Sequence, residues 1–316
     1  MKKISILIPA YNEEAVLDPL LARLANLADK QKKYNFEFLF VNDGSKDATL
    51  ELLKKYADKD ERISYVSFSR NFGKEIAMIA GLDHVTGDAT VIIDADLQDP
   101  PELIPNMIDL WEEGYDDVYA KRKDRKGESW LKKFTSKMYY RTLQKVTHVP
   151  IQEDTGDFRL LDRRVVDALI EFRESERNTK AMFSWVGFNK KEILYSRDER
   201  AAGETKWNYF KLVNLAVDGI TSFTTAPLRI STVLGAIVSV AAFIYLLFVV
   251  IKTILFGTDS TGYPSMMAVI LFLGGVQLLS LGIIGEYVGR IFNETKRRPL
   301  YIVQEYHEGT RKKTRR

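Results

Sequence analysis

The sequence reads as an α/β fold with a mainly parallel central sheet, followed by two apolar helices of membrane-crossing length. Three observations lead there. Short β-rich runs alternate with helical patterns through the N-terminal third, polar side chains gather at the carboxyl ends of those runs, and residues 230–251 and 260–285 carry no charge. The 316 residues, 46% apolar and 28% charged, suffice for one large globular domain with an appendage and do not resemble a disordered chain or a repeat fibre.

Residues 5–9, 36–41, 63–68 and 89–93 are short runs bounded by turn residues and read as strands. Helical periodicity fills the intervals over 14–33, 46–57, 74–84 and 102–112. Alternating β and α elements give a parallel sheet covered by helices, whose buried strands are continuously apolar, as 4–8 and 91–93 nearly are. Ligands of such open sheets sit beyond the carboxyl ends of the strands. Tyr11, Asn12 and Glu13 follow the first strand, Asn42 and Asp43 the second, Arg70 and Asn71 the third, and Asp94 and Asp96 the fourth. Four polar tips therefore converge on one sheet edge.

A helix of about 20 apolar residues crosses a hydrocarbon core about 30 Å thick, so both uncharged stretches are long enough. Runs such as 238–251 are apolar on every face, which suits lipid better than a soluble interior. Lys296, Arg297, Arg298, Arg311, Lys312, Lys313, Arg315 and Arg316 follow the second stretch, whereas the linker 257–264 has no Lys or Arg. That bias predicts a multi-pass protein of the cell (inner) membrane with both termini in the cytoplasm. The apolar run at the start is stopped by Asn12, Glu13 and Glu14, so no cleaved export signal is expected. The expected organisation is a cytoplasmic domain over 1–207, a juxtamembrane amphipathic helix over 208–229, a two-helix hairpin over 230–290 and a basic tail over 291–316. Residues 130–149 share the amphipathic pattern of 208–223, and read either as interfacial or as packed on the sheet. Glu286 and Arg290 are spaced for a helical ion pair. Gly274, Gly275, Gly282, Gly285 and Gly289 give that helix small faces suited to contact between copies of the chain, hence an expected homo-oligomer.

There is no cysteine, and His84, His148 and His307 are scattered, so a metal would have to take oxygen ligands. The net charge of +3 matters by location: basic residues concentrate beside the spans, where they meet a lipid bilayer rather than nucleic acid. Asp94 and Asp96 stand two apart at a strand end, so both carboxylates point the same way. Together they can address one Mg2+ or Mn2+, ions that commonly take one or two carboxylates plus substrate phosphates. A departing nucleoside diphosphate needs such counter-charge. Pro9, Tyr11 and Glu13 offer an aromatic face and acceptors suited to a base and ribose, and Asp43 can accept from the base. An N-cap formed by Asn12, with acids in the first turn, explains part of the same pattern.

Taken together, residues 9–14, 41–47, Ser69-Arg70-Asn71-Phe72-Gly73-Lys74-Glu75, 94–102, Thr155-Gly156-Asp157-Phe158-Arg159-Leu160, Gly203-Glu204-Thr205-Lys206-Trp207 and Gly282-Ile283-Ile284-Gly285-Glu286-Tyr287 resemble the family 2 glycosyltransferases of the GT-A fold. Within that family the chain is similar to the polyprenyl-phosphate glycosyltransferases, such as dolichyl-phosphate mannose synthases and bacterial bactoprenol glucosyltransferases. The resemblance covers nearly the whole chain, and the two C-terminal spans fit the bactoprenol branch.

It implies a nucleotide cleft formed by Pro9, Tyr11, Glu13, Asp43 and Asp94, with the metal on Asp96 and Gln98. The spacing alone pairs Asp94 with Asp96, so Asp94 carries both expectations. The implied reaction is inverting transfer of a sugar, glucose from UDP-glucose by the bactoprenol resemblance, onto undecaprenyl phosphate. Asp157 and Asp96 are the implied catalytic residues, Asp157 standing at the family's base position. A lipid monophosphate is largely dianionic near neutrality, its second pKa being about 6, so Asp157 either takes a proton, orients the acceptor or merely caps a turn after Gly156. Arg122, Arg200 and Lys206 are expected to hold the acceptor phosphate through charge-assisted hydrogen bonds, with Gly203 freeing a loop and Trp207 anchoring it at the interface. A processive polysaccharide synthase shares this fold but usually has more spans and a Gln-x-x-Arg-Trp motif that this sequence lacks. A catalytically idle nucleotide-binding scaffold would have lost Asp94, Asp96 and Asp157, which are present.

Overall fold

The computed structural model describes residues 1–123, 155–175, 177, 179–195, 226–256 and 262–309. Residues 1–208 with 298–316 form one compact unit and residues 209–297 a second. In the first, strands β1 (Lys3–Ala10), β2 (Asn35–Asn42), β3 (Ile63–Phe68), β4 (Ala89–Ile92), β5 (Asp117–Arg122), β6 (Thr155–Asp162), β7 (Lys190–Tyr195) and β8 (Val303–His307) make one sheet in the order β7-β5-β6-β4-β1-β2-β3-β8. The centre, β4-β1-β2-β3, is parallel as expected. Outside it, β6 runs antiparallel to β4 and β5, β8 antiparallel to β3, and β7 parallel to β5.

Successive strand residues face opposite sides, so β1 feeds two cores. Ile4, Ile6 and Ile8 pack with Phe38, Phe40 and helix α1 (Leu17–Lys30). Leu7 points to the other face, with Leu39, Val66, Ile92 and helix α3 (Lys74–His84). Helix α1 buries Leu17, Leu20, Leu24 and Leu27, one stripe at helical spacing. Helices α2 (Thr49–Ala57), α4 (Ile104–Glu112), α5 (Arg163–Ile170) and α6 (Thr179–Trp185) complete the described helices of this unit. Each fully buried Leu or Ile contributes about 1.5–3 kcal/mol of transfer free energy, and these two cores are what hold the strand tips in place.

The second unit is helix α7 (Ala226–Phe256) and helix α8 (Tyr263–Thr295), which pack on each other. Both are long and apolar enough to cross a membrane, with mean hydropathy 2.8 over Pro227–Phe256 and 1.4 over Phe272–Thr295, and neither apolar window is buried. Phe243, Ile244 and Phe248 are each about three-fifths exposed, a surface that lipid rather than water accommodates. The expected pair forms, Arg290 lying 2.8 Å from Glu286.

One boundary differs. Residues 303–307, expected in a basic tail, are strand β8 on the outer edge of β3. Its approach is fixed by Tyr301, which stacks on Phe68 at 5.2 Å and donates to Asp83 at 2.7 Å, and by His307, stacked on Tyr65 at 5.5 Å. An uncovered β3 edge would leave its backbone groups open to other chains. Residues 130–149 and 208–223 lie outside the described residues.

Candidate active site

The loops after β1 and β2 are stitched to each other. Asn12 adopts a left-handed φ of 57°, which Asn tolerates better than most residues. Its backbone N–H donates to Ser45 Oγ at 3.0 Å, and its Oδ1 accepts from the Lys46 N–H at 2.8 Å. Asn12 therefore caps the neighbouring loop and not its own helix, since α1 begins at Leu17 without a side-chain cap. Gly44 has φ 64°, and a Cβ there would run into the Arg70 backbone and within 2.6 Å of the Asn71 nitrogen; only glycine lets the loops after β2 and β3 touch.

Asp43 accepts from the backbone N–H groups of Phe72 at 2.6 Å and Gly73 at 2.9 Å. Burial pushes its carboxyl above the ordinary range, and those two N–H groups only partly offset it. By holding Gly73, Asp43 sets the start of α3 and so the place of Lys74.

A cleft of about 490 Å3 opens over these tips, lined among others by Pro9, Tyr11, Glu13, Asp43, Lys74, Asp94 and Asp96. The Lys74 ammonium stands 2.7 Å from Asp94 Oδ1 and 2.6 Å from Asp157 Oδ2, joining the end of β4 to the start of β6. The other Asp157 oxygen, Oδ1, is buried and has no hydrogen-bond partner among the described residues. Burial pushes the Asp157 carboxyl up, but Lys74, with Lys180 and Arg159 behind it, outweighs that and leaves it below the ordinary range. Burial works against the Lys74 charge too, and the Asp94 and Asp157 carboxylates more than reverse it, raising Lys74 well above the ordinary lysine value. Beneath Asp157, Arg159 is fully buried, paired to Asp117 at 3.1 Å and lying 3.8 Å over the Phe183 ring. Asp157 and Arg159 share one face of β6, so this buried pair fixes the strand that presents Asp157.

The structure thus brings Pro9, Tyr11, Glu13, Asp43, Asp94 and Asp96 to one cleft, with Asp157 joined through Lys74. Gln98 is not among the cleft-lining residues; its backbone N–H donates to Asp96 Oδ1 at 3.1 Å, closing the loop back on itself. Arg122 ends β5 half-buried, in register with Tyr195 on β7, and is not among the cleft-lining residues. Arg200 and Lys206 lie outside the described residues. Lys74, Arg159 and Tyr195 were not expected here. Lys74 did leave a signal: a cation at the first position of a helix opposes the helix dipole, a placement that needs some other reason.

Among the described residues no cluster of three His, Cys, Asp or Glu forms an all-protein metal cage. Diphosphate chemistry does not require one, because Mg2+ and Mn2+ commonly bind through one or two carboxylates and the substrate's own phosphates. Asp94 and Asp96 present that donor set on the cleft wall, and Asp94 already accepts a cation in the form of the Lys74 ammonium. The residues fit a divalent ion.

Residues 5–170 match glycosyl transferase family 2, and residues 226–291 match the GtrB C-terminal hairpin. An uncharacterized glycosyltransferase of Synechocystis sp. is 51% identical over 303 residues, covering 96% of this chain and 95% of its own. A prophage bactoprenol glucosyl transferase homolog of Escherichia coli is 46% identical over 302 residues, 96% of this chain and 98% of its own. The bactoprenol glucosyl transferase of Shigella phage SfX is 46% identical over 302 residues, covering 96% and 99%. These matches span nearly the whole chain, from the sheet to the apolar hairpin, and the chain therefore belongs to glycosyl transferase family 2, in the branch that carries the GtrB hairpin.

Proposed function

We propose that this chain transfers glucose, with inversion, from UDP-glucose to undecaprenyl phosphate at the cytoplasmic face of the membrane that its helical hairpin crosses. One observation carries the reading: a single ammonium, that of the cleft-lining Lys74, reaches both Asp94 and Asp157. In this reading Asp94 and Asp96 take the diphosphate side, and Asp157, across the Lys74 ammonium from Asp94, takes the side of the anomeric carbon. A divalent cation on Asp94 and Asp96 would offset the charge of the departing diphosphate. Asp157, held ionised, opposes the positive charge that develops on the sugar carbon, and its Oδ1, unpaired among the described residues, can orient a sugar or acceptor group. Attack from the face opposite the leaving group places the acceptor phosphate in line. That phosphate is largely dianionic near pH 7, its second pKa being about 6, so Asp157 need not act as a strong base.

The lipid acceptor is supported by the two relatives named bactoprenol glucosyl transferases. Orientation is supported by Lys296, Arg297 and Arg298 after α8, and by β8, which returns the chain to the sheet it left before the hairpin. In the test, full-length protein in nanodiscs receives Mg2+, undecaprenyl phosphate and radiolabelled UDP-glucose. The expected outcome is a labelled lipid that fails to form with Asp96→Ala, Asp157→Asn or excess chelator. Label entering lipid from UDP-N-acetylglucosamine or GDP-mannose but not from UDP-glucose would overturn the sugar, and no lipid label from any of them would overturn the reaction.

A further inference from the structure

The loop that carries the acidic pair contains a strained residue. Leu97, between Asp96 and Gln98, has φ 61°, a left-handed conformation that a branched side chain avoids and that persists only where the surroundings enforce it. Two residues on, the same loop is tied to a distant strand. Asp99 is buried, and its Oδ1 accepts from the Tyr195 hydroxyl at 2.5 Å. Tyr195 ends β7, the far edge strand, with β5 and β6 standing between it and β4. Arg122 is its partner in register on β5. The Tyr195 ring meets Phe158 edge-on at 6.2 Å, and Phe158 is the neighbour of Asp157. One buried side chain therefore touches the loop of Asp94 and Asp96 through its hydroxyl and the strand of Asp157 through its ring.

We propose that Tyr195 is a positioning residue for residues 94–99: by holding Asp99 it keeps Leu97 left-handed and so keeps Asp96 turned into the cleft for a divalent cation and a nucleoside diphosphate. The inference rests on the functional reading above and adds that cation affinity is set from three strands away.

The test reads Mn2+ binding by electron paramagnetic resonance in full-length detergent-solubilised protein with UDP present, alongside thermal unfolding. Tyr195→Phe keeps the ring and its contact with Phe158 and removes only the hydroxyl. Its Mn2+ affinity is expected to fall about tenfold, the size of one hydrogen bond to a charged group. Glycine adopts the left-handed conformation freely, so Leu97→Gly added to Tyr195→Phe is expected to restore affinity to within about threefold of the native chain. A merely structural hydroxyl would lower the unfolding temperature and leave Mn2+ affinity unmoved, which would overturn the proposal; so would a tenfold loss that Leu97→Gly does not recover. A native chain that binds no Mn2+ with UDP would overturn the metal assignment and this inference together, whereas binding by the native chain and equal binding by Tyr195→Phe would overturn this inference alone.

Discussion

Lys74 lies 2.6 Å from Asp157, the first residue of a helix meeting a residue near the start of a strand on the far side of β4. The ammonium opposes the dipole of its own helix, and the Asp94 and Asp157 carboxylates offset that. Lys74→Met removes the chief charge holding Asp157 ionised. The folded pKa of Asp157 is below its unfolded value, so the pair contributes stability above the ordinary carboxylate range that is lost as pH falls through the folded value. With Met the Asp157 carboxyl titrates higher. The acid limb of the pH–rate profile is expected to move up, and turnover at neutral pH to fall at least about tenfold. Lys74→Arg keeps the charge and serves as the control in the same assay.

Arg159 and Asp117 form an ion pair with both side chains about 1% exposed. Truncating one member strands the other, so Arg159→Met is expected to cost about 3–5 kcal/mol in denaturant unfolding. Removing both charges, with Arg159→Met and Asp117→Leu together, should recover most of that loss. Activity is not expected to return with stability, because Arg159 also backs Asp157.

Gly44→Ala forces a Cβ into the Arg70 backbone at a left-handed φ. The loops after β2 and β3 must then separate, with an expected stability loss of about 1–3 kcal/mol. Because Asp43 reaches Phe72 and Gly73 across that contact, nucleotide affinity measured by titration calorimetry is expected to fall as well.

Glu75 accepts from both the backbone N–H and the hydroxyl of Thr179, tying the start of α3 to the start of α6. Burial holds its carboxyl above the ordinary range. Glu75→Ala leaves the Thr179 donors unanswered and is expected to lower stability by about 1–3 kcal/mol. Hydrogen exchange should show the loss concentrated in residues 179–185.

Much of this was legible in the chain. Strands β1 to β4 announce themselves because burial on both faces demands nearly unbroken apolar runs, and the strand-tip rule places Asp43, Asp94 and Asp96 at one edge, where they line one cleft. The remaining strands did not. β5 reads Asp-Val-Tyr-Ala-Lys-Arg and β7 Lys-Lys-Glu-Ile-Leu-Tyr; the first hides its acid in an ion pair, the second is an edge with solvent on one side, and neither shows clean periodicity. β8 looked like tail because its contacts are remote, the Tyr65 hydroxyl reaching a Glu305 carboxylate 240 residues away. Asp157 was found through family resemblance, not spacing. Arg122 stands outside the cleft lining because it ends β5, in register with β7 and two strands from β4, a place that the sequence does not reveal.

Strand β8 also dictates an order of manufacture. A ribosome delivers β3, then the whole apolar hairpin, and only afterwards the residues that close the β3 edge. Through most of synthesis the nascent domain exposes an unpaired strand and the bare ring of Phe68, the features that invite misassembly. The final segment can return only once the apolar hairpin has been made, so a chain that stops within the hairpin should yield a sheet missing its last strand, and with it a marked target for proteolysis.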